Sequence, residues 1–209
     1  MPLRYLLWDM DGTLFDTYPA MTRALVRAFA DLGVTVPAEL VASLISRTFE
    51  HCLDTLCPRH GLDQEAVLAR YRQHYRETGV EEQPPFPGVM RVCRRVVQAG
   101  GANYIFTHRG RDSLDRFLNF YGVADLFADT LTVDDGYPRK PDPGGFLALI
   151  EKHHLPKSAV LVIGDRELDI LAGQAAGVKT CLFGEPEPGL APDYVIGSYE
   201  ELEAILELD

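Results

Sequence analysis

No apolar run in this 209-residue sequence approaches the eighteen or so residues that cross a bilayer, so no membrane span can be read from it. Basic charge is scarce. The 20 Lys and Arg stand against 31 Asp and Glu, a net charge of −11. That balance argues against general nucleic-acid binding, which needs a basic surface to neutralise phosphates. A small anionic substrate is not excluded, because local cations outweigh net charge inside a cleft. Cysteine is sparse too. Cys52, Cys57, Cys93 and Cys181 form no CxxC pair and no ligand cluster. Buried thiols in a reducing compartment are expected, with a redox or metal pair at Cys52 and Cys57 as the lesser alternative. The opening MPLRYLLWDMDG is too short in apolar residues for a signal peptide and meets acid at once. Repeats and low-complexity tracts are missing. The expectation is a cytoplasmic protein, monomeric by default.

What is present has a clear rhythm. LRYLLW (3–8), NYIF (103–106), LTV (131–133), AVLVIG (159–164) and KTCLF (179–183) are short apolar runs of the kind that become buried parallel strands. Amphipathic stretches lie between them: Phe146, Leu149, Ile150 and His153 keep helical spacing, and VMRVCRRVVQAG (89–100) ends at Gly100. This alternation predicts an α/β fold, a doubly wound, Rossmann-like parallel sheet with helices on both faces. Residues 19–78 break the pattern. They read as roughly four helices with no strand, bounded by Asp16-Thr17-Tyr18-Pro19 and by EEQPPFPGV (81–89). The predicted organisation is therefore a core of 1–15 and 87–209, with a helical insert over 16–86 leaving after the first strand. The proline-rich connections suit hinges.

Four stations of chemistry fall at the predicted strand ends, where open parallel sheets bind ligands. Asp9 and Asp11 stand two residues apart before Gly12. At about 4 Å and an effective dielectric near 20, such a pair repels by roughly 4 kcal/mol, which calls for a cation or a shared proton. One carboxylate can serve as nucleophile and the other as proton shuttle; a solvated acidic turn is the plain alternative. Thr107 follows NYIF and, with backbone amides and nearby Arg109, can cradle an anion, or is simply a strand-end threonine. Lys140 in RKPDP offers a compact charge to a phosphate or to the carboxylates, or is a loop lysine. In GDRELD, Asp165 ends a buried strand and Asp169 lies one helical turn on, either on the same side or as a helix cap. Taken together, hard oxygen ligands from Asp9 and Asp165 suit Mg²⁺, and that ion with Lys140 would neutralise the aspartates.

With these residues in view, the chain resembles the haloacid dehalogenase-like (HAD) superfamily, in its phosphoglycolate phosphatase and β-phosphoglucomutase branch. DMDGT, Thr107, Lys140 in RKPDP and GDRELD match its four motifs in order, and PFPGV (85–89) and LDILAGQAAGVKT (168–180) match that branch. The resemblance implies a small α-helical cap over 16–86 and a two-step phosphoryl transfer on a small phosphorylated metabolite. Asp9 would become an aspartyl-phosphate, while Asp11 protonates the leaving alcohol and then activates water. Thr107 would hold phosphoryl oxygens and Lys140 would stabilise charge. Mg²⁺ would sit on Asp9, the Asp11 carbonyl and Asp165, supported by Asp169. THRG departs from the usual second motif, so His108 and Arg109 either bind substrate or anchor the loop. Arg47, in Ser46-Arg47-Thr48, is a candidate reader of a distal anion, or a solvated surface residue. A phosphomutase using the same Asp9 is the near alternative, and a non-catalytic phospho-acceptor module the distant one.

Overall fold

The computed structural model describes residues 2–208, and it divides into two compact units, Met1–Phe15 with Pro85–Asp209, and Asp16–Pro84. The first unit is built on a six-stranded sheet: β1 (Tyr5–Trp8), β2 (Ala102–Phe106), β3 (Phe127–Leu131), β4 (Val160–Gly164), β5 (Lys179–Phe183) and β6 (Tyr194–Ile196). All its pairings are parallel, in the order β3-β2-β1-β4-β5-β6. The order reverses at β1, the arrangement that opens a crevice at the carboxyl ends of the central strands. Trp8 lies level with Ile105 on one side and Ile163 on the other. The residues that follow them, Asp9, Phe106 and Gly164, therefore reach the same edge of the sheet.

β4 is apolar throughout because both of its faces are covered, and every one of its residues is buried. Leu7, Tyr104, Phe106, Val160 and Val162 pack with Phe146, Leu149 and Ile150 of α7 (Gly144–Lys152) and with Ala172 and Ala176 of α8 (Glu167–Ala176). Truncating Phe146 to Ala would cost about 3–5 kcal/mol. On the other side Asn103 is fully buried yet satisfied. It accepts from Trp8 Nε1 at 3.0 Å and donates to the carbonyls of Cys93 and Leu126. α5 (Val89–Gln98), α6 (Arg111–Phe120) and α9 (Tyr199–Ile205) complete this unit's helices among the described residues.

The second unit consists of α1 (Tyr18–Asp31), α2 (Ala38–Ile45), α3 (Phe49–His60) and α4 (Gln64–Glu77). Leu25, Phe29, Val41, Leu53, Leu56 and Val67 form its core, with Cys52 and Cys57 buried among them. All four cysteines are free and buried. Local chemistry sets the helix ends. Thr48 Oγ1 accepts from the His51 amide at 2.8 Å, Asp63 Oδ2 from the Ala66 amide at 3.0 Å, and Gly61 closes α3. The stretch PAELVASLISRTFEHCLDTLC, uniformly helical by periodicity, is broken at Ser46-Arg47-Thr48 because Thr48 caps a new helix.

Two strand assignments differ from the sequence reading. The strand expected over 131–133 runs instead over Phe127–Leu131. Only its end residues are buried, since β3 is the edge strand, so its pattern lacks the continuous apolar run that marks the central ones. β6, three residues after a proline-rich approach, gave no readable signal. No helix among the described residues is long and apolar enough to cross a membrane.

Candidate active site

The first loop after β1 is shaped by Gly12, whose φ of +79° is one that residues with a side chain rarely adopt. Its amide donates to the Phe15 carbonyl at 2.9 Å, closing the turn that carries Asp9, Asp11 and Thr13. The Asp9 amide donates to Ile163 O at 2.9 Å, so β4 fixes where the carboxylate emerges. Asp9 is 1% exposed. Its Oδ1 accepts from Lys140 Nζ, whereas its buried Oδ2 has no hydrogen-bond partner among the described residues. Burial is the main reason that the Asp9 carboxyl is pushed up to about 6, against the opposing pull of Lys140.

Lys140 is 3% exposed and donates to three oxygens: Asp9 Oδ1, Asp169 Oδ1 at 2.6 Å and the Phe106 carbonyl at 3.1 Å. Burial alone would drive its proton off; Asp169 and Asp9 outweigh that and hold it above the ordinary lysine value. The converse holds at Asp169. Burial pushes this carboxyl up, but Lys140, Arg166 and the Arg166 amide together bring it below the usual range. Asp169 therefore stays ionised, fixed by the amide of Arg166 at 3.2 Å on its other oxygen. Gly164 is a glycine for the same reason, since a Cβ there would lie 2.3 Å from that of Asp169.

Asp165 is half-buried at the end of β4, and its Oδ1 accepts from Thr13 Oγ1 at 2.9 Å. Carboxylate oxygens of Asp9, Asp165 and Asp169 lie within 4.8 Å of one another. Three hard oxygen donors at that spacing, one each from Asp9, Asp165 and Asp169, fit a divalent cation. Four aspartates, with Asp11 included, face three cations, Lys140, Arg109 and Arg166.

Thr107 is buried after β2, its amide donating to Leu131 O at 3.0 Å and its Oγ1 accepting from the Arg109 amide at 3.1 Å. The two residues after it take protein partners. Burial, followed by the charges of Lys140, Arg166 and Arg139, pushes the His108 imidazole down to about 3. It is neutral, and its Nε2 accepts the Lys140 amide hydrogen at 3.0 Å. Arg109 grips the carboxylate of Asp11: Nε lies 2.9 Å from each oxygen and Nη2 lies 2.6 Å from Oδ1. Arg47 is exposed in the turn between α2 and α3 of the helical unit.

The sequence reading gave no role to four residues that take part. Arg166 brings its guanidinium to 4.0 Å from both Asp9 and Asp169; its place inside GDRELD was the available signal. Thr13 sits within DMDGT and was equally visible. Ser113 Oγ accepts from Arg109 Nη1 at 2.8 Å, and the Tyr199 hydroxyl, from α9, donates to the Thr13 carbonyl. Nothing in the sequence marks those last two.

With this geometry established, likeness to known proteins becomes informative. Residues 6–183 match the family profile described as haloacid dehalogenase-like hydrolase. A phosphoglycolate phosphatase of Aliivibrio fischeri is 28% identical over 224 residues, covering 99% of this chain and 97% of the relative. A hydrolase from Streptococcus pneumoniae is 30% identical with a TM-score of 0.69, covering 99% of this chain and 100% of that one. A HAD-hydrolase of Bacillus subtilis solved bound to magnesium is 25% identical, with a TM-score of 0.78 over 99% and 100% of the two chains. The chain belongs to the haloacid dehalogenase-like hydrolases, as one of their phosphoric monoester hydrolases.

Proposed function

We propose that this chain is a magnesium-dependent phosphatase that hydrolyses a small phosphorylated metabolite through a phosphorylated Asp9. The observation that carries the reading is the state of Asp9 at the sheet's switch point: buried, with one oxygen held by Lys140 and the other without a hydrogen-bond partner among the described residues. An unpartnered carboxylate oxygen costs free energy unless something is to meet it, and a phosphorus atom is the electrophile suited to it.

In the first half-reaction an Asp9 oxygen forms a bond to phosphorus as the ester P–O bond breaks. Asp11 passes a proton to the departing alcohol oxygen. In the second, Asp11 takes a proton from water, the water oxygen bonds to phosphorus, and the bond to Asp9 breaks, returning the carboxylate and releasing phosphate. Lys140, kept protonated by two aspartates, offsets charge on Asp9 and on the phosphoryl oxygens. Thr107 and the amides beside it are assigned to those oxygens. Asp9, Asp165 and the Asp11 carbonyl would hold the magnesium ion, with Asp169 behind them and Thr13 steadying Asp165. The ion supplies charge neutralisation on the phosphoryl group. The naming of the Aliivibrio relative supports phosphoglycolate as the first ester to try, and the magnesium in the Bacillus structure supports the choice of metal. The helical unit, Arg47 included, is assigned to selection of the leaving group.

The test is phosphate release from a panel of small phosphomonoesters with and without magnesium, for the wild type and Asp9→Asn. Magnesium-dependent release that disappears in Asp9→Asn is the expected result. Activity only in sugar-phosphate isomerisation with a trace of bisphosphate would replace this reading with a mutase. Silence in both assays would replace it with a phospho-acceptor module.

A further inference from the structure

Two of the three cations at these strand ends serve Asp9 and Asp169. Arg109 is directed elsewhere, and its own fixation is extensive. Its amide donates to Thr107 Oγ1 at 3.1 Å and its carbonyl accepts from the Val133 amide at 3.1 Å. Its Nη1 donates to Ser113 Oγ at 2.8 Å, and its guanidinium lies 4.8 Å from the centre of the Phe117 ring. The side chain is only 10% exposed. A guanidinium braced in this way is already ordered, so little freedom is lost when it forms a fork with a carboxylate.

That carboxylate is Asp11, which lies on a tight turn rather than on a helix or strand and whose side chain is 18% exposed. A carboxylate in such a position rotates readily about its last torsion. The three Arg109 contacts remove that freedom: Oδ1 takes Nη2 and shares Nε with Oδ2. The orienting group comes from the loop after β2 and the oriented group from the loop after β1, so the sheet itself sets the angle between them.

We propose that Arg109 is a positioning residue for phosphoryl transfer, holding Asp11 at the angle from which its proton reaches the leaving oxygen. The inference rests on the phosphatase reading above. Arg109 acts through Asp11 and on no reacting atom itself. Its contribution is confined to the step in which the ester P–O bond breaks, the Asp9–phosphorus bond forms and the Asp11 proton passes to the alkoxide. An alkoxide needs that proton. A nitrophenolate, stable as an anion at neutral pH, does not.

The experiment therefore compares kcat/KM for phosphoglycolate, glycerol phosphate and p-nitrophenyl phosphate, with magnesium present, in the wild type, Arg109→Met, Asp11→Asn and the double variant. Arg109→Met is expected to lower the value for both alkyl esters by roughly 10- to 100-fold and for the aryl ester by less than about threefold. The double variant is expected to be no slower than Asp11→Asn, since both changes remove the same proton delivery. Should Arg109→Met fail to fold, Ser113→Ala keeps the fork and loosens its brace; the same selective loss, at roughly two- to fivefold, is then expected. Equal losses on all three esters, or none, would overturn the inference. So would a loss confined to phosphoglycolate, which would make Arg109 a reader of the substrate carboxylate. A wild type silent on every ester would overturn the phosphatase reading, and this inference with it.

Discussion

Lys140 and Asp169 form an ion pair with no solvent exposure on either side chain, Nζ lying 2.6 Å from Oδ1. Removing one member of such a pair strands the other charge. Asp169→Asn is expected to destabilise the chain by about 3 kcal/mol, the lower end for broken buried pairs because Asn still accepts one hydrogen bond. For a chain of this size the melting temperature should fall by roughly 6–12 °C. A melt within a degree or two of wild type would mean that Asp9 alone suffices to hold the lysine.

Asp9→Asn should behave in the opposite way. Burial disfavours the Asp9 charge, and Lys140 keeps its bonds to Asp169 and Phe106 O when that charge is removed. Phosphate release should drop to background, a loss of at least about a thousandfold, while the melting temperature holds or rises. Calorimetry beside the activity assay checks both halves. A variant that is inactive because it is unfolded would contradict the account of Asp9 as a destabilised nucleophile.

His108 gives a pH dependence with a definite sign. Its folded value of about 3 lies far below the ordinary 6.5, so the unfolded chain binds the proton first. Its contribution to stability is complete above pH 6.5 and is lost as pH falls toward 3, by up to about 1.4 kcal/mol per pH unit. His108→Gln keeps a hydrogen-bond acceptor for the Lys140 amide and cannot titrate. Relative to that of His108→Gln, the wild type's urea midpoint should fall between about pH 7.5 and about pH 5. Parallel profiles would mean that the imidazole does not stay neutral.

Thr13 touches no candidate electrophile, yet its hydroxyl fixes Asp165 at 2.9 Å. Thr13→Val keeps the shape of the buried side chain and deletes that donor. Magnesium affinity should weaken by roughly 10- to 100-fold, as expected when a ligand loses its outer partner. Magnesium titration followed by calorimetry reads this directly, and chelator should lower the melting temperature of wild type more than that of the variant. Unchanged affinity would remove Asp165 from the ligand set.

The sequence was legible wherever local patterning and final environment agree. β1 and β4 are buried on both faces and appear as unbroken apolar runs, and the four helices of the second unit follow their periodicity. β3 was displaced because an edge strand alternates buried ends with a polar middle. At the site, Asp9, Lys140, Asp165 and Asp169 come together in space, and each belongs to a motif at a strand or helix end. Arg109 was seen but not its partner, because no spacing rule links position 109 to position 11. Tyr199 was invisible because its bond to the Thr13 carbonyl spans 186 residues.

Asp9 and Lys140 are separated by 131 residues. On a ribosome adding about 5–20 residues per second, the first of them waits roughly 7 to 26 seconds before the second has even been made. For that whole interval the emerging aspartate lacks the lysine that holds it in the folded chain. The candidate nucleophile is thus made 131 residues ahead of the lysine that pairs with it. On the proposed mechanism, a nascent chain stalled between these two residues should release no phosphate from an ester.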